Sequence, residues 1–207
     1  MKLESIYGLK EPAMRSAMER LLDQIEDIRK DLTVKLGMDP VDHVLSRIKS
    51  EESMRDKCRR RNLPETVESA TEKIYDAIGI RVVCAFLNDV YLFRQKILEL
   101  PGVRIAAEKD YIRRAKPNGY RSLHLILRIP EGFYAEIQLR TVSMDTWAAL
   151  DHQLQYKKQL GENTALIVEE LRRCANELAS TDVSMQTIRD MIMEANGVEN
   201  SSGGGHA

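Results

Sequence analysis

Apolar residues recur early in the chain at alternating steps of four and three: Met14, Met18, Leu21, Ile25, Ile28, Leu32 and Leu36. That is the stripe of an amphipathic helix, and it predicts one helix over residues 11–36. Asp39-Pro40 then reads as an N-cap and a first-turn proline, so a short helix is expected to carry Val41, Val44 and Leu45. Further helices are expected over 51–61, ending before Pro64, and over 67–75.

The pattern then changes period. The run 80–86 is rich in β-branched residues and predicts a buried strand, with Asp76 just before it. Asn88 is placed to cap a helix carrying Leu92, Phe93, Ile97 and Leu100, which Pro101-Gly102 stops. Strands are predicted over 103–109, 123–129 and 133–140, the last two joined tightly through Pro130-Glu131-Gly132. Thr141 caps the next helix, whose apolar face is Met144, Trp147, Leu150 and Leu154, with Asp145, His152 and Tyr156 on another face. A final helix or helix pair over 164–196 carries Leu171, Ala175, Leu178, Met185, Ile188 and Ile192, and residues 201–207 read as a flexible end.

The expected fold is therefore α+β, a mixed sheet of four to five strands flanked by helices, with a long helix towards each end. Four stretches follow: an N-terminal helical region (1–39), a catalytic-sized domain (40–160), C-terminal helices (161–196) and a tail (197–207). The near-seven-residue spacing of the two terminal helices suits packing on the sheet or mating with another subunit.

Composition narrows the class. At 207 residues, 43% hydrophobic and 30% charged with a formal net charge of -1, the chain is globular, with no uniform field for gathering nucleic acid. Charge is instead local: Arg47, Lys49, Arg55, Lys57, Arg59, Arg60 and Arg61 face only Glu51, Glu52 and Asp56 in one run, and 104–121 is also basic. Three scattered cysteines imply neither a disulfide framework nor a zinc knuckle, and no segment matches a membrane span, so a cytoplasmic location is expected.

The candidate chemistry lies mainly in 109–141. By the two-residue period of a strand, Tyr120, Ser122 and His124 share a face, as do Glu136, Gln138 and Arg140. Asp76 and Glu136 are placed to meet at one sheet end, where two carboxylates would repel unless a hard divalent cation such as Mg2+ joined them. The alternative is that Asp76 ends a helix and Glu136 pairs with Arg140. Lys49, Lys57 and Arg60 suit a triphosphate, and Arg47 and Arg81 have planar heads that stack on a purine. Tyr120 beside Gly119 can stack on a second base or serve as a core aromatic, and His124 is equally open. Phosphate loops, dinucleotide fingerprints and hydrolase elbows are absent, as is a His-Asp doublet for a phosphohydrolase centre.

Ordered blocks tie these residues together: Ser46-Arg47-Ile48-Lys49-Ser50 with Ser53 and Lys57; residues 76–82; Lys109-Asp110-Tyr111-Ile112; residues 116–124; residues 136–141; and Met144-Asp145, Trp147-Ala148 and residues 151–157. Together they resemble the synthetase domain of the RelA/SpoT homologue family, in the form of a small alarmone synthetase, over about residues 40–160. The resemblance implies a nucleotidyltransferase-like fold and a GTP pyrophosphokinase that moves pyrophosphate from ATP to the 3'-hydroxyl of GDP or GTP. It implies that Arg47 and Arg81 sandwich adenine and that Lys49, Ser53, Lys57, Arg59 and Arg60 handle ATP phosphates. Asp76 and Glu136 would hold Mg2+, Glu136 taking the hydroxyl proton, and Tyr120 would stack on guanine near Lys116, Asn118 and His124. Asp151 departs from the pattern, standing where a longer acid is usual. The family also implies a homotetramer and a pppGpp effector. Relatives that act on adenosine nucleotides or the tRNA 3'-end keep another acceptor open, and Arg113 and Arg114 leave room for RNA.

Overall fold

The computed structural model describes residues 5–156 and 164–195. Lys157 and the expected tail over 201–207 lie outside them. The elements run α1 (Glu11–Leu36), β1 (Val41–Ile48), α2 (Glu51–Arg60), β2 (Ile78–Cys84), α3 (Leu87–Leu98), β3 (Arg104–Asp110), β4 (Leu123–Arg128), β5 (Tyr134–Thr141), α4 (Val142–Tyr156) and α5 (Thr164–Ala195). One five-stranded sheet has the order β1-β2-β5-β4-β3, and only β2 and β5 are parallel neighbours. The expected α+β mixed sheet is what forms.

Alternation decides which face of the sheet is dry. Ile78, Ile80, Val82 and Cys84 of β2, Leu123, Leu125 and Leu127 of β4, and Ala135, Ile137 and Leu139 of β5 are all buried. Helices α1 and α3 cover that face: Met14, Leu21, Ile25 and Leu32, with Val90, Phe93 and Ile97, join the same cluster. Each such side chain contributes roughly 1.5–3 kcal/mol on burial. The α1 stripe turns slightly from the predicted one, since Ala17 is buried and Met18 only partly so. Gly37 ends the helix at φ 68°, a conformation natural to a helix C-terminus.

The short helix expected after Asp39-Pro40 is instead strand β1, antiparallel to β2 from Val41↔Cys84 to Ile48↔Ile78. Val41, Val44, Leu45 and Ile48 satisfy helical spacing but are largely β-branched, and the exposed ladder edge of β2 selects the extended form. Asp39 still caps, but as an Asx turn: its Oδ1 accepts the Val41 N–H at 3.0 Å. The helix expected over 67–75 stops at Lys73 in a π turn, with Ile74 N donating to Ser69 O at 3.0 Å. The strand expected over 80–86 runs two residues earlier. Phe86, not Asn88, is the N-cap position of α3, and Asp89 Oδ2 accepts its N–H at 3.2 Å.

The last two helices also depart from their predicted faces. In α4, Met144 and Trp147 are buried, but Leu150 and Leu154 are about half exposed while Asp151 is buried. Helix α5 turns Ala175, Gln186, Arg189 and Met193 inward and leaves Met185, Ile188 and Ile192 in solvent. Its docking is polar. Arg189 Nη1 meets Asp89 Oδ1 at 2.6 Å with both residues buried, Gln186 Oε1 accepts the Asn88 N–H at 2.9 Å, and Thr141 Oγ1 donates to Asp182 Oδ2 at 2.6 Å.

Candidate active site

The face opposite the apolar one carries the polar half of each alternating strand. Register sets two rows across it: Arg47, Gly79, Glu136 and Ile126 in one, Leu45, Arg81, Gln138 and His124 in the next. Paired residues in a ladder point the same way, so strands distant in sequence deliver their side chains to one surface. An open cleft with a cavity of about 160 Å³ forms there, lined by Leu45, Ser46, Arg47, Asp76, Gly79, Ile80, Arg81, Glu136 and Gln138. Asp76 and Glu136 therefore do converge beside Arg47 and Arg81.

At one end two ammonium groups meet one carboxylate oxygen. Lys57 Nζ lies 2.6 Å and Lys49 Nζ 3.2 Å from Asp76 Oδ2. The other oxygen, Asp76 Oδ1, is buried and has no hydrogen-bond partner. An orphan carboxylate oxygen in a cleft holding a second carboxylate fits a hard cation whose remaining ligands come from phosphate and water. Among the described residues no cluster of three or more acidic, His or Cys ligands exists, so the protein alone offers only a partial shell. Lys49 is held from behind, because the buried Tyr7 hydroxyl donates to its carbonyl at 2.6 Å. Ser50 Oγ caps α2 by accepting the Ser53 N–H at 3.3 Å and donates to Ser53 Oγ at 2.9 Å.

The alternative pairing of Glu136 with Arg140 is not what forms. Glu136 accepts from Gln138 Nε2 at 3.0 Å and meets His124 Nδ1 at 3.2 Å. Arg140 instead reaches the Tyr120 hydroxyl at 2.6 Å, Gln138 Oε1 at 3.1 Å and Asp145 Oδ1 at 3.1 Å. Asp145 also pairs with Arg81 at 3.1 Å, which ties the two guanidiniums together through one acid. Burial lowers the Arg81 pKa, and the neighbouring positive charge of Arg140 pushes the same way. Among the described residues the Arg47 guanidinium makes no hydrogen bond or ion pair, although its backbone pairs with Gly79.

At the other end, Tyr120 stands edge-on to Tyr111, His124 and Trp147, with centroids 6.1, 5.9 and 6.4 Å away. Its hydroxyl meets His124 Nε2 at 2.8 Å. Lys116 Nζ sits 4.8 Å from the ring centroid and 4.7 Å from that of Tyr111, and Asn118 Oδ1 accepts the Tyr120 N–H at 3.2 Å. Of the expected phosphate contacts, Lys49 and Lys57 reach Asp76 while Arg59 and Arg60 point elsewhere. Arg59 is spent on Asp56 and on Glu65 at 2.7 Å, and Arg60 is exposed beside the Asp56 carbonyl. For Arg59, an acid three residues back along α2, with Glu65 just past its end, outcompetes the cleft for the guanidinium.

Some supporting residues left no readable signal. Tyr7 lies 42 residues from the carbonyl it holds, and the Tyr75–Tyr134 ring pair, centroids 4.2 Å apart with Arg128 over Tyr134, forms only when β5 lies beside β2. Gln138 falls on the face expected from the two-residue period it shares with Glu136 and Arg140, and it bonds to both.

Burial alone would raise the Glu136 carboxyl; the His124 and Gln138 hydrogen bonds, with the charges of His124 and Lys57, overcome it and hold the group at about 2 against an ordinary 4.5. The folded value lies below the unfolded one, so ionised Glu136 stabilises the fold above about pH 4.5 and that contribution is lost as the pH falls towards 2. In metal-free and nucleotide-free protein, the urea stability of the parent should lose its lead over Glu136→Gln across that window. A difference that stays constant from pH 6 to about pH 3 would contradict the assignment.

Comparison with known proteins shows the family. The family model described as a region found in RelA / SpoT proteins matches residues 46–161, more than half of the chain. The GTP pyrophosphokinase YwaC of Bacillus subtilis (strain 168) is 35% identical over 183 residues, covering 85% of this chain and 87% of that one. The crystal structure of small alarmone synthetase 2 from Bacillus subtilis superposes with a TM-score of 0.76 at 33% identity, covering 86% of this chain and 96% of that one. Small alarmone synthetase 1 from the same organism, bound to its product pppGpp, gives 0.73 at 28% identity, covering 86% and 94%. With the matched blocks supplying both walls of the cleft, the chain belongs to the RelA/SpoT family.

Proposed function

We propose that this protein transfers a pyrophosphoryl group from ATP to the 3'-hydroxyl of GDP or GTP, releasing AMP and making ppGpp or pppGpp. The observation that carries the reading is the meeting of Asp76, Glu136, Arg47 and Arg81 in one cleft, with an aromatic and cationic patch around Tyr120 at its far side. The family membership of YwaC and the pppGpp bound to small alarmone synthetase 1 supply the substrate class.

In this reading the acceptor 3'-oxygen attacks the β-phosphorus of ATP, the bond from that phosphorus to the α,β-bridging oxygen breaks, and the electron pair leaves on AMP. Arg47 and Arg81 hold the adenine between planar heads, and Lys49 and Lys57 leave Asp76 to face the phosphates. Tyr120 stacks on guanine once Lys116 swings off its face, and Asn118 and His124 fix the base side. Asp76 and Glu136 would hold Mg2+, which when bound neutralises phosphate charge. Glu136 orients the hydroxyl and receives its proton late, as suits a weak base in a loose transition state. No covalent nucleophile is required.

The test is to incubate the protein with ATP, Mg2+ and either GDP or GTP and to resolve the products. AMP together with a 3'-pyrophosphorylated guanosine nucleotide is expected; intact ATP with both acceptors would refute the reading. Adenosine nucleotides and tRNA in the same assay distinguish the other acceptors. The exposed Met185, Ile188, Met191 and Ile192 of α5 further support a homo-oligomer, in our reading a tetramer, which light scattering measures directly.

A further inference from the structure

The segment between β3 and β4 carries Lys116, Asn118 and Tyr120, yet it belongs to no strand. Its internal backbone bonds are few: Tyr111 N to Ser122 O, Lys116 N to Tyr120 O, and Gly119 N to Lys116 O. Arg140 and His124 hold the Tyr120 hydroxyl, but the loop that carries the ring needs a backing of its own.

That support is α5, a helix beyond the 46–161 region shared by the family model. Gly119 adopts φ 93°, and a Cβ there would lie 2.6 Å from Ala175 Cβ and 3.1 Å from Arg172 Cα, so the loop rests directly on the helix surface. Arg121 then spans the joint. Its Nη1 donates to Gly119 O at 3.1 Å and to Ala175 O at 3.2 Å, while Nη2 donates to Asn176 Oδ1 at 2.9 Å. The same helix is fastened to the sheet through Asp182 on Thr141, the residue after the Arg140 that holds the Tyr120 hydroxyl. The helix is thus joined both to the loop beside Tyr120 and to the strand whose Arg140 holds the Tyr120 hydroxyl.

We propose that α5 is the seat that sets the position of the acceptor-side segment, with Arg121 as the positioning residue. The inference rests on the acceptor role given above to Tyr120, and it predicts an effect confined to one substrate. The donor-side cations stand on β1, β2 and α2, where their hydrogen bonds and ion pairs run to Asp76, Asp145 and Gln138. Loosening the joint should therefore spare ATP.

The experiment compares Arg121→Met, Arg121→Lys and Asn176→Ala with the parent chain. Charge-assisted hydrogen bonds of this kind make about a tenfold rise in KM for GDP the expected result for Arg121→Met, with KM for ATP and kcat at saturation changed by less than about twofold. Arg121→Lys should recover part of the loss, since an ammonium keeps the charge but cannot fork, and Asn176→Ala should show a smaller rise. Calorimetric Kd values for GDP should move by the same factors, and GDP should slow amide exchange in residues 172–176, because coupling between two sites is reciprocal. Unchanged GDP binding in both Arg121→Met and Asn176→Ala, or equal weakening of ATP and GDP, overturns the proposal. Should the parent chain bind GDP yet make no product, the transfer reading fails while the binding data still decide the joint. Should Arg121→Met not fold, Asn176→Ala carries the test.

Discussion

Replacing Glu136 by Gln is expected to lower kcat for pyrophosphoryl transfer by about a thousandfold or more while leaving ATP affinity within about twofold. The amide has nearly the same shape and can still meet His124 and Gln138, so the sheet should not be disturbed. What it removes is the negative charge that faces the acceptor hydroxyl and, with Asp76, would hold the cation. The residues proposed to hold adenine, Arg81 one register row away and Arg47 across the sheet, are untouched, which is why binding is expected to survive. Single-turnover assays with labelled ATP, alongside calorimetric ATP titration, measure both halves. Activity within tenfold of the parent would remove Glu136 from the chemistry.

Replacing Arg189 by Met should cost about 3–5 kcal/mol of stability, the expected consequence of stranding a buried carboxylate. Asp89 is fully buried and Arg189 nearly so, joined at 2.6 Å, and the Arg189 head also lies 4.6 Å from the Phe86 ring. Burial already raises the Asp89 pKa, and the Arg189 bond is the chief counterweight. Without that partner the acid must take up a proton or α5 must lift away. Thermal and urea unfolding should show a Tm lower by roughly 10 °C for a chain of this size. The double change Asp89→Asn with Arg189→Met should regain part of the loss, because the amide oxygen still caps Phe86 and no charge remains. A single-variant loss below about 1 kcal/mol would mean that the pair adds little to the docking of α5.

The sheet and its chemistry were legible where two independent signals coincided. In β4, Leu123-His124-Leu125-Ile126-Leu127-Arg128 alternates as a half-buried strand does, and the same alternation points His124 at the cleft. In β5, Glu136, Gln138 and Arg140 follow the same rule. Where one signal served two periods, reading failed: Val41, Val44, Leu45 and Ile48 fit a helix turn as well as a strand, and only the open edge of β2 decides between them. The inward face of α5 was unreadable for a different reason. Two of its partners are Asp89 and the Asn88 N–H, so the buried positions include Gln186 and Arg189, while Met185, Ile188 and Ile192, which periodicity selects, stay in solvent. Contacts such as Tyr7 on Lys49 depend on closure of the whole chain and leave no local trace.

The parallel pairing of β2 with β5 carries a consequence for biosynthesis. Gly79 and Glu136 become ladder neighbours only after α3, β3 and β4 have been made and folded back, so Asp76, just before β2, and Glu136 are brought together by the most sequence-distant pairing in the sheet. A nascent chain that has emerged only as far as β4 has the lysines and arginines of one wall and nothing opposite them. ATP turnover is thus withheld from any copy that has not yet made β5, the strand that carries Glu136.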